Sequence, residues 1–377
     1  MRLRPPVRSY SCKGVRIHFS SVIVLLQLTR ALERHVHELD RMTNPGRARA
    51  TDRSRPLEDL GEAGGRGGRW KMTVLDILAL TLRWFTTRHR HDDLALEFGI
   101  VRSSVTRMLG IGRKALLTTL RTTRDSRIAI PSAATRDLHA DVMCVKYGPS
   151  PDPSARPFAV IDGTWMSIMV PGTEVQQRLY YSGKNCDHGI NSVFISGPDG
   201  CIHDSAFAFP GSYHDQTVAA EMLCDWRRIL RIGKEHIVGD IGFRAEWLSS
   251  FVLLPLSNGA IIPPGEEGVA LKRQSLWLTS LRQGSEWINQ SLKQTFLRLS
   301  LRLPNQMDRT RLIIETCLRL HNLRARWEKI GQMKTVYAGL MEMRELEVRA
   351  AYIEREEEDG INRNDLDAEA DPDHDDD

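Results

Sequence analysis

Three acidic residues stand where a phosphodiester-cleaving metal site would need them. Asp162 closes the apolar run Phe158-Ala159-Val160-Ile161, and Asp240 closes His236-Ile237-Val238-Gly239. Apolar runs of this length, bounded by glycine, read as buried strands. A carboxylate at the last residue of such a strand emerges at the carboxyl edge of a sheet, where open α/β sheets place their chemistry. Glu286 lies in the helical pattern Leu281-Arg282-Gln283-Gly284-Ser285-Glu286-Trp287. Asp162 and Asp240 are 78 positions apart and Glu286 is 46 further on, so only folding can join them. Joined, they would hold two Mg²⁺ or Mn²⁺ ions that clamp the attacking and leaving oxygens of an in-line phosphoryl displacement. Mg²⁺ favours carboxylates, phosphate and water, so three protein carboxylates suffice.

Each of these residues also has a plainer reading. Asp162 and Asp240 precede glycine-containing turns, a common place for Asp. Glu286 can pair with Arg282 four residues earlier on a helix. Such a pair is compatible with function. Arg282, Glu286 and Lys293 fall at i, i+4 and i+11, near one helix face, where the two bases would hold phosphates beside the carboxylate.

The elements that must position these groups form a mixed α/β pattern. Strand candidates are Phe158–Ile161, Ser192–Ser196, Cys201–Phe209, His236–Gly239 and Ala260–Ile262, with Gly200 marking a tight turn between the second and third. Helix candidates are Gln216–Leu230, Leu276–Leu299, Arg309–Lys329 and Tyr337–Glu358. Strands first, then mixed helices and strands, indicate an α/β sheet with an antiparallel part. His321 falls on the apolar face of the Arg309–Lys329 pattern and reads as a core histidine.

Ahead of this domain, a strongly apolar helix from about Met72 is followed by Asp92–Ile100 and Arg102–Leu109, separated by a turn holding Gly99. The pattern is that of a helix-turn-helix, its second helix capped by Ser103 or Ser104. That helix would offer Arg102, Ser103, Ser104, Thr106 and Arg107 to DNA while Val105 and Leu109 pack inward. The Pro/Ser-rich break between Lys146 and Pro157 separates the two parts.

Five segments result. Residues 1–70 form a disordered, basic N-terminal segment; 71–145 an all-α helix-turn-helix domain; 157–330 the α/β domain; 331–353 a C-terminal helix; and 354–377 an acidic disordered tail. Charge is segregated among them. The tail from Glu354 to Asp377 holds 13 acidic and 2 basic residues, a net of −11, so the remainder carries +15 within a total of +4. A basic body of this kind points to a polyanionic partner. The six cysteines are widely spaced, with neither a C-x-x-C pair nor zinc-finger spacing, which is the pattern of reduced thiols in an intracellular protein. The longest apolar stretch, Val22–Leu26, is too short to span a bilayer. The first 32 residues are Arg-rich with no acid before Glu33, a composition compatible with a transit peptide but lacking a small-residue cleavage site.

Six motifs, in this order, resemble those of the Harbinger-type transposase nucleases, DDE superfamily endonucleases with an RNase H-like fold. Ile161-Asp162-Gly163-Thr164-Trp165 resembles the first-Asp motif. Pro171, Tyr180-Tyr181-Ser182-Gly183-Lys184 and His188 resemble the Tyr/Lys/His segment. Phe209-Pro210-Gly211-Ser212-Tyr213-His214-Asp215 is similar to the Gly-Ser-x-His-Asp motif. Val238-Gly239-Asp240-Ile241-Gly242-Phe243 resembles the second-Asp motif. Arg282 to Glu286 with Lys293 resembles the Glu helix, and Leu320-His321-Asn322 the closing Leu-His-Asn. The similarity covers about residues 72–330 and is weakest between Ile262 and Leu276.

The resemblance implies an RNase H-like mixed sheet flanked by helices, with Asp162, Asp240 and Glu286 as both catalytic residues and metal ligands. Asp162 would bridge the two metals, Asp240 would bind one and Glu286 would complete the other. His214 and Asp215 would support the site rather than ligate, since Mg²⁺ disfavours imidazole. Arg102, Ser103, Arg107, Lys184, Arg282 and Lys293 would contact double-stranded DNA. A separate DNA-binding partner protein, a homodimer and a nuclear location are compatible with this picture, and no membrane association is expected. The rival readings are a domesticated, catalytically silent DNA-binding protein, a scaffold acting with a partner, and an RNase H-type ribonuclease that shares the fold.

Overall fold

In a computed structural model, residues 72–327 are described, together with 336–337, 339–347 and 350. The basic segment 1–70, the acidic tail and about half of the expected C-terminal helix lie outside the described residues; 339–347 is helical. The chain divides into two compact units. One gathers residues up to Arg127, Met166–Pro171 and Leu292–Glu328; the other gathers Ile128–Trp165, Gly172–Ser291 and the residues from Lys329 onward.

The first unit is helical. Helix α1 (Val74–Thr86) opens with a reciprocal cap: the Thr73 hydroxyl accepts from the Asp76 amide at 3.2 Å, and the Asp76 carboxylate accepts from the Thr73 amide at 2.8 Å. Two of the orphan donors of the first turn are thereby satisfied. Helix α2 (His91–Phe98) ends at Gly99, whose φ of +64° is the left-handed cap that glycine adopts without a Cβ penalty. Helix α3 (Arg102–Thr122) follows. Its N-cap is Val101, which makes no side-chain cap bond, rather than the expected Ser103 or Ser104; both serines lie inside the first turn. Val105 and Leu109 are buried, whereas Arg102, Ser103, Thr106 and Arg107 are exposed.

The second unit holds the sheet. Helix α4 (Ala133–Tyr147) precedes β1 (Pro157–Ser167). Short helix α5 (Glu174–Tyr180), β2 (Tyr181–Ser182), β3 (Asp187–Ser196) and β4 (Ile202–Pro210) follow. Next come α6 (Asp215–Ile229), β5 (His236–Val238), β6 (Val252–Leu253) and the long α7 (Glu266–Thr295), whose last turn, like the following α8 (Met307–Trp327), belongs to the first unit. The sheet order is β2-β3-β1-β5-β6, with β4 paired to β3. β1, β5 and β6 run parallel, while β2, β3 and β4 are linked by antiparallel pairs. The result is a mixed six-stranded sheet flanked by helices, consistent with an RNase H-like fold. The β3–β4 hairpin turns through Gly200, at φ +75°.

Two elements differ from expectation. Ala260–Ile262 is not a strand; Ile261 is almost fully exposed, and the following Pro263-Pro264 can donate no ladder hydrogen bonds. The outer parallel position, beside β5, is taken instead by Val252–Leu253. Helix α7 begins ten residues before the expected Leu276, directly after Pro263-Pro264-Gly265, with Glu266 and Glu267 in its first turn, where acidic groups complement the helix dipole.

The core between sheet and α6 is built from Phe158, Ile161, Val193, Ile195, Val218, Leu223, Trp226 and Ile237. Beside it, Arg136 of α4 makes a bidentate pair with Glu235 at 2.8 and 3.1 Å, both side chains about 5% exposed. The pair fixes α4 to the residue just before β5, the strand leading to Asp240. Burial alone would raise the Glu235 carboxyl, but hydrogen bonds from Arg136 and Arg231 hold it down at about 2. Removing one partner of a buried pair strands a charge and costs about 3–5 kcal/mol. Arg136→Met is therefore expected to lower the unfolding free energy by roughly that amount in urea titrations at pH 7. Because the Glu235 pKa is depressed, the pair's contribution is present above the ordinary value near 4.5 and is lost as pH falls through about 2. The variant and the parent should thus converge in acid.

Candidate active site

Asp162 lies inside β1, not at its last residue, since β1 continues to Ser167. The neighbouring parallel strand β5 stops at Val238. The register pairs Val160 with Val238, so carrying it two residues on sets Asp162 level with Asp240. Adjacent strands are about 4.8 Å apart, and the two carboxylates emerge side by side where β5 ends. Asp240 is held in place as the cap of a single 3₁₀ turn, accepting from the Gly242 amide at 2.9 Å.

Both Asp162 oxygens are already oriented. Oδ1 accepts from the Gly163 amide at 3.0 Å and Oδ2 accepts from the Asn289 side-chain amide at 2.9 Å. Burial, and next the charge of Asp240, push the Asp162 pKa up to about 6, against the opposing influence of Arg282 and the two hydrogen bonds. A desolvated pair of like charges is costly without a compensating cation.

Helix α7 supplies the third side of this site. Arg282, Glu286 and Asn289 fall at i, i+4 and i+7, on one face. The first lowers the Asp162 pKa and the last donates to it, so Glu286 projects between two residues that address Asp162. Its own side chain is exposed. Asp162, Asp240 and Glu286 do not all approach within 4.8 Å of one another; among the described residues that criterion is met by His139, Asp199 and His203. Asn289 carries no signal in the residue types alone. Its spacing of three from Glu286 is the one feature that could have found it.

The remaining candidate residues fall as follows. His214 is the N-cap of α6 and makes no side-chain cap bond. Asp215 opens that helix and accepts from the Asn191 side chain, which also bonds the Tyr213 carbonyl at 3.1 Å. The Asp215 carboxylate presses against Gly163: a Cβ there would lie 2.3 Å from Asp215 Oδ2. Only glycine allows this approach, which ties the loop before α6 to the residue following Asp162. Lys184 is exposed in the turn between β2 and β3. Lys293 sits in the last turn of α7, in the helical unit. Arg102 pairs at 3.3 Å with Asp92, both largely exposed. His321 is buried in α8.

The donor set fits a hard divalent cation. It offers two adjacent carboxylates, one of them strained toward protonation, and a buried Asn289 Oδ1 that has no hydrogen-bond partner. Residues 161–322 match the family described as DDE superfamily endonuclease. The match supports a transposase-derived DDE nuclease domain in this segment. The match begins one residue before Asp162 and ends at the Leu320-His321-Asn322 motif. No curated protein and no solved structure matches the chain significantly. Among the described residues, no helix is long and apolar enough to cross a membrane.

The raised Asp162 pKa has a consequence for stability. A group whose folded pKa exceeds its ordinary 3.8 stabilises fully below that value, and the contribution is lost as pH rises through about 6. Without divalent metal, Asp162→Asn should therefore melt higher than the parent at pH 8, by on the order of 1–3 kcal/mol. The gain should shrink through pH 6 and vanish below pH 4. Equal melting at both ends of this range would show that Asp162 is not strained.

Proposed function

We propose that the nuclease domain is a divalent-metal-dependent DNA endonuclease in which Asp162, Asp240 and Glu286 hold Mg²⁺ or Mn²⁺. The observation that carries this reading is the parallel β1–β5 register, which continued two residues sets Asp162 of β1 level with Asp240 just beyond the end of β5, with α7 delivering Arg282 and Asn289 to Asp162. Bound metal would supply charge stabilisation for the attacking and leaving oxygens of the scissile phosphate.

The chain's own residues do the rest. Asn289 and the Gly163 amide fix the Asp162 oxygens in one orientation before substrate arrives, so little reorganisation is required. Asp215 holds the Gly163 backbone. Arg282, beside Asp162, neutralises part of the site's negative charge and is placed to contact a neighbouring phosphate. His214, exposed at the start of α6, borders the same loop. Lys184 in the sheet unit and Lys293 in the helical unit would each contact duplex phosphates. Arg102, Ser103 and Arg107 form the exposed start of α3, read as the DNA-facing helix of a helix-turn-helix. A freed 3′-hydroxyl would attack a phosphodiester of a second strand in the same site, forming a new P–O bond as that strand's own 3′-oxygen leaves. Nuclear residence, a separate DNA-binding partner and a homodimer belong to this proposal.

A second reading, a silent or partner-requiring derivative, is favoured by one observation: Glu286 is exposed and the three carboxylates do not converge. Nicking of supercoiled duplex DNA in Mg²⁺ or Mn²⁺ separates the two. Asp162→Asn, Asp240→Asn and Glu286→Gln should each lose about 10²–10⁴-fold in rate, the equivalent of several kcal/mol of transition-state stabilisation. Asn289→Ala should lose about 10–100-fold, as residues that orient ligands do. DNA bound but left intact by parent and variants alike would favour the silent reading. Because ligation requires ionised Asp162, the Mg²⁺ concentration for half-maximal nicking should climb as pH drops below about 6.

Binding to duplex DNA gives a separate test of α3. Arg102→Ala and Arg107→Ala should weaken it uniformly across sequences and each reduce the salt slope by about 0.9. An unchanged slope would remove α3 from the interface.

A further inference from the structure

A second constellation, unrelated to the nuclease carboxylates, lies at the far end of the hairpin. β3 carries Asn191, which touches Asp215 beside Gly163, and ends at Ser196. Six residues of extended chain from Asn191 to Gly197 span on the order of 20 Å. There, His139 of α4, Asp199 in the hairpin turn and His203 of β4 bring one ligand atom each within 4.8 Å of one another. His203 Nε2 lies 3.1 Å from Asp199 Oδ1, and that oxygen also accepts from the Cys201 amide at 3.0 Å. The two imidazole rings are 5.5 Å apart at a tilt of 40°.

Two observations set this group apart from an ordinary buried hydrogen-bond network. First, His139 is fully buried, and neither Nδ1 nor Nε2 has a hydrogen-bond partner. Leaving both polar atoms of a buried imidazole unmatched is expensive. Second, the space between the rings is kept open by Gly197. A Cβ at that position would lie 2.8 Å from His139 Nδ1 and 2.7 Å from His203 Nε2. Two imidazole nitrogens and a carboxylate thus converge over a residue with no side chain.

We propose that His139, Asp199 and His203 bind a zinc-class transition-metal ion that clips α4 to the β3–β4 hairpin, with water completing the coordination. Two imidazoles and a carboxylate match the preferences of Zn²⁺, whose four-coordinate sites use such ligands. They match Mg²⁺ poorly, so this site and the nuclease carboxylates select different metals. Metal ligation gives His139 the partner it otherwise lacks. The Cys201 amide orients the Asp199 carboxylate, the role that outer hydrogen bonds play at metal centres.

The test is Zn²⁺ titration of the full-length protein, first stripped with a chelator, against a competing chromophoric chelator. One tightly bound Zn²⁺ per chain is expected. Asp199→Asn and His203→Gln should weaken it by more than about 100-fold, since loss of an outer partner alone costs about 10–100-fold. Asp162→Asn should leave this binding unchanged. Should the histidine variant not fold, Asp199→Asn preserves side-chain size, and the unaltered protein provides two further readouts. These are a rise in melting temperature with Zn²⁺ but not with Mg²⁺, and the visible absorption of four-coordinate Co²⁺. Absence of stoichiometric Zn²⁺ binding would overturn the proposal, as would Zn²⁺ binding that is lost in Asp162→Asn and kept in Asp199→Asn.

Discussion

Two carboxylates forced together on neighbouring parallel strands are the constraint around which the nuclease domain is organised. The β1–β5 register, continued past Val238, sets Asp162 beside Asp240, and burial deprives Asp162 of the water that would normally screen the repulsion. Such an arrangement is stable only because other parts of the fold compensate. The Gly163 amide and Asn289 donate to Asp162, Arg282 supplies opposite charge, and the Gly242 amide caps Asp240. A structure that retains repulsion at one point while satisfying the surrounding groups has the character of a site prepared for a cation.

The supporting elements follow from that requirement. The Arg136–Glu235 pair anchors the start of β5, and with it the register. Trp226 and its neighbours on α6 cover the sheet, and the first residue of that helix, Asp215, packs on the glycine next to Asp162. Helix α7 is long because it must reach from the end of the sheet segment to present Arg282, Glu286 and Asn289 along one face. The helical residues 74–122 share one compact unit with Met166–Pro171 and Leu292–Glu328 and expose the start of α3.

Much of this was legible in the residues. Apolar runs ending at Asp162 and Asp240 located two strands, and their boundedness by glycine was the signal. The hairpin was legible from Pro198-Asp199-Gly200, because only glycine readily takes the required φ. Other features were not. β6 is two residues long, too short for any periodicity, and its place was claimed in sequence by Ala260–Ile262, an apolar run that Pro263-Pro264 leaves without ladder donors. The start of α7 was hidden because Glu266–Ser275 has little apolar periodicity. Asp162 was expected at a strand end; in fact β5 ends while β1 continues, and a single sequence does not reveal which partner stops first. Asn289 was missed since a polar residue on a helix is unremarkable until its partner is known. The His139–Asp199–His203 group was equally invisible, its members being spread over 64 positions and over a helix, a turn and a strand.

The central claim is that Asp162 is the shared ligand of a divalent-metal centre acting on DNA. Anomalous diffraction from crystals of the protein grown with Mn²⁺ and a short DNA duplex tests it most directly. The account predicts Mn²⁺ peaks bound by Asp162, one shared with Asp240 and one with Glu286, beside a backbone phosphate. Mn²⁺ bound elsewhere, with duplex present and Asp162 bare, would contradict it.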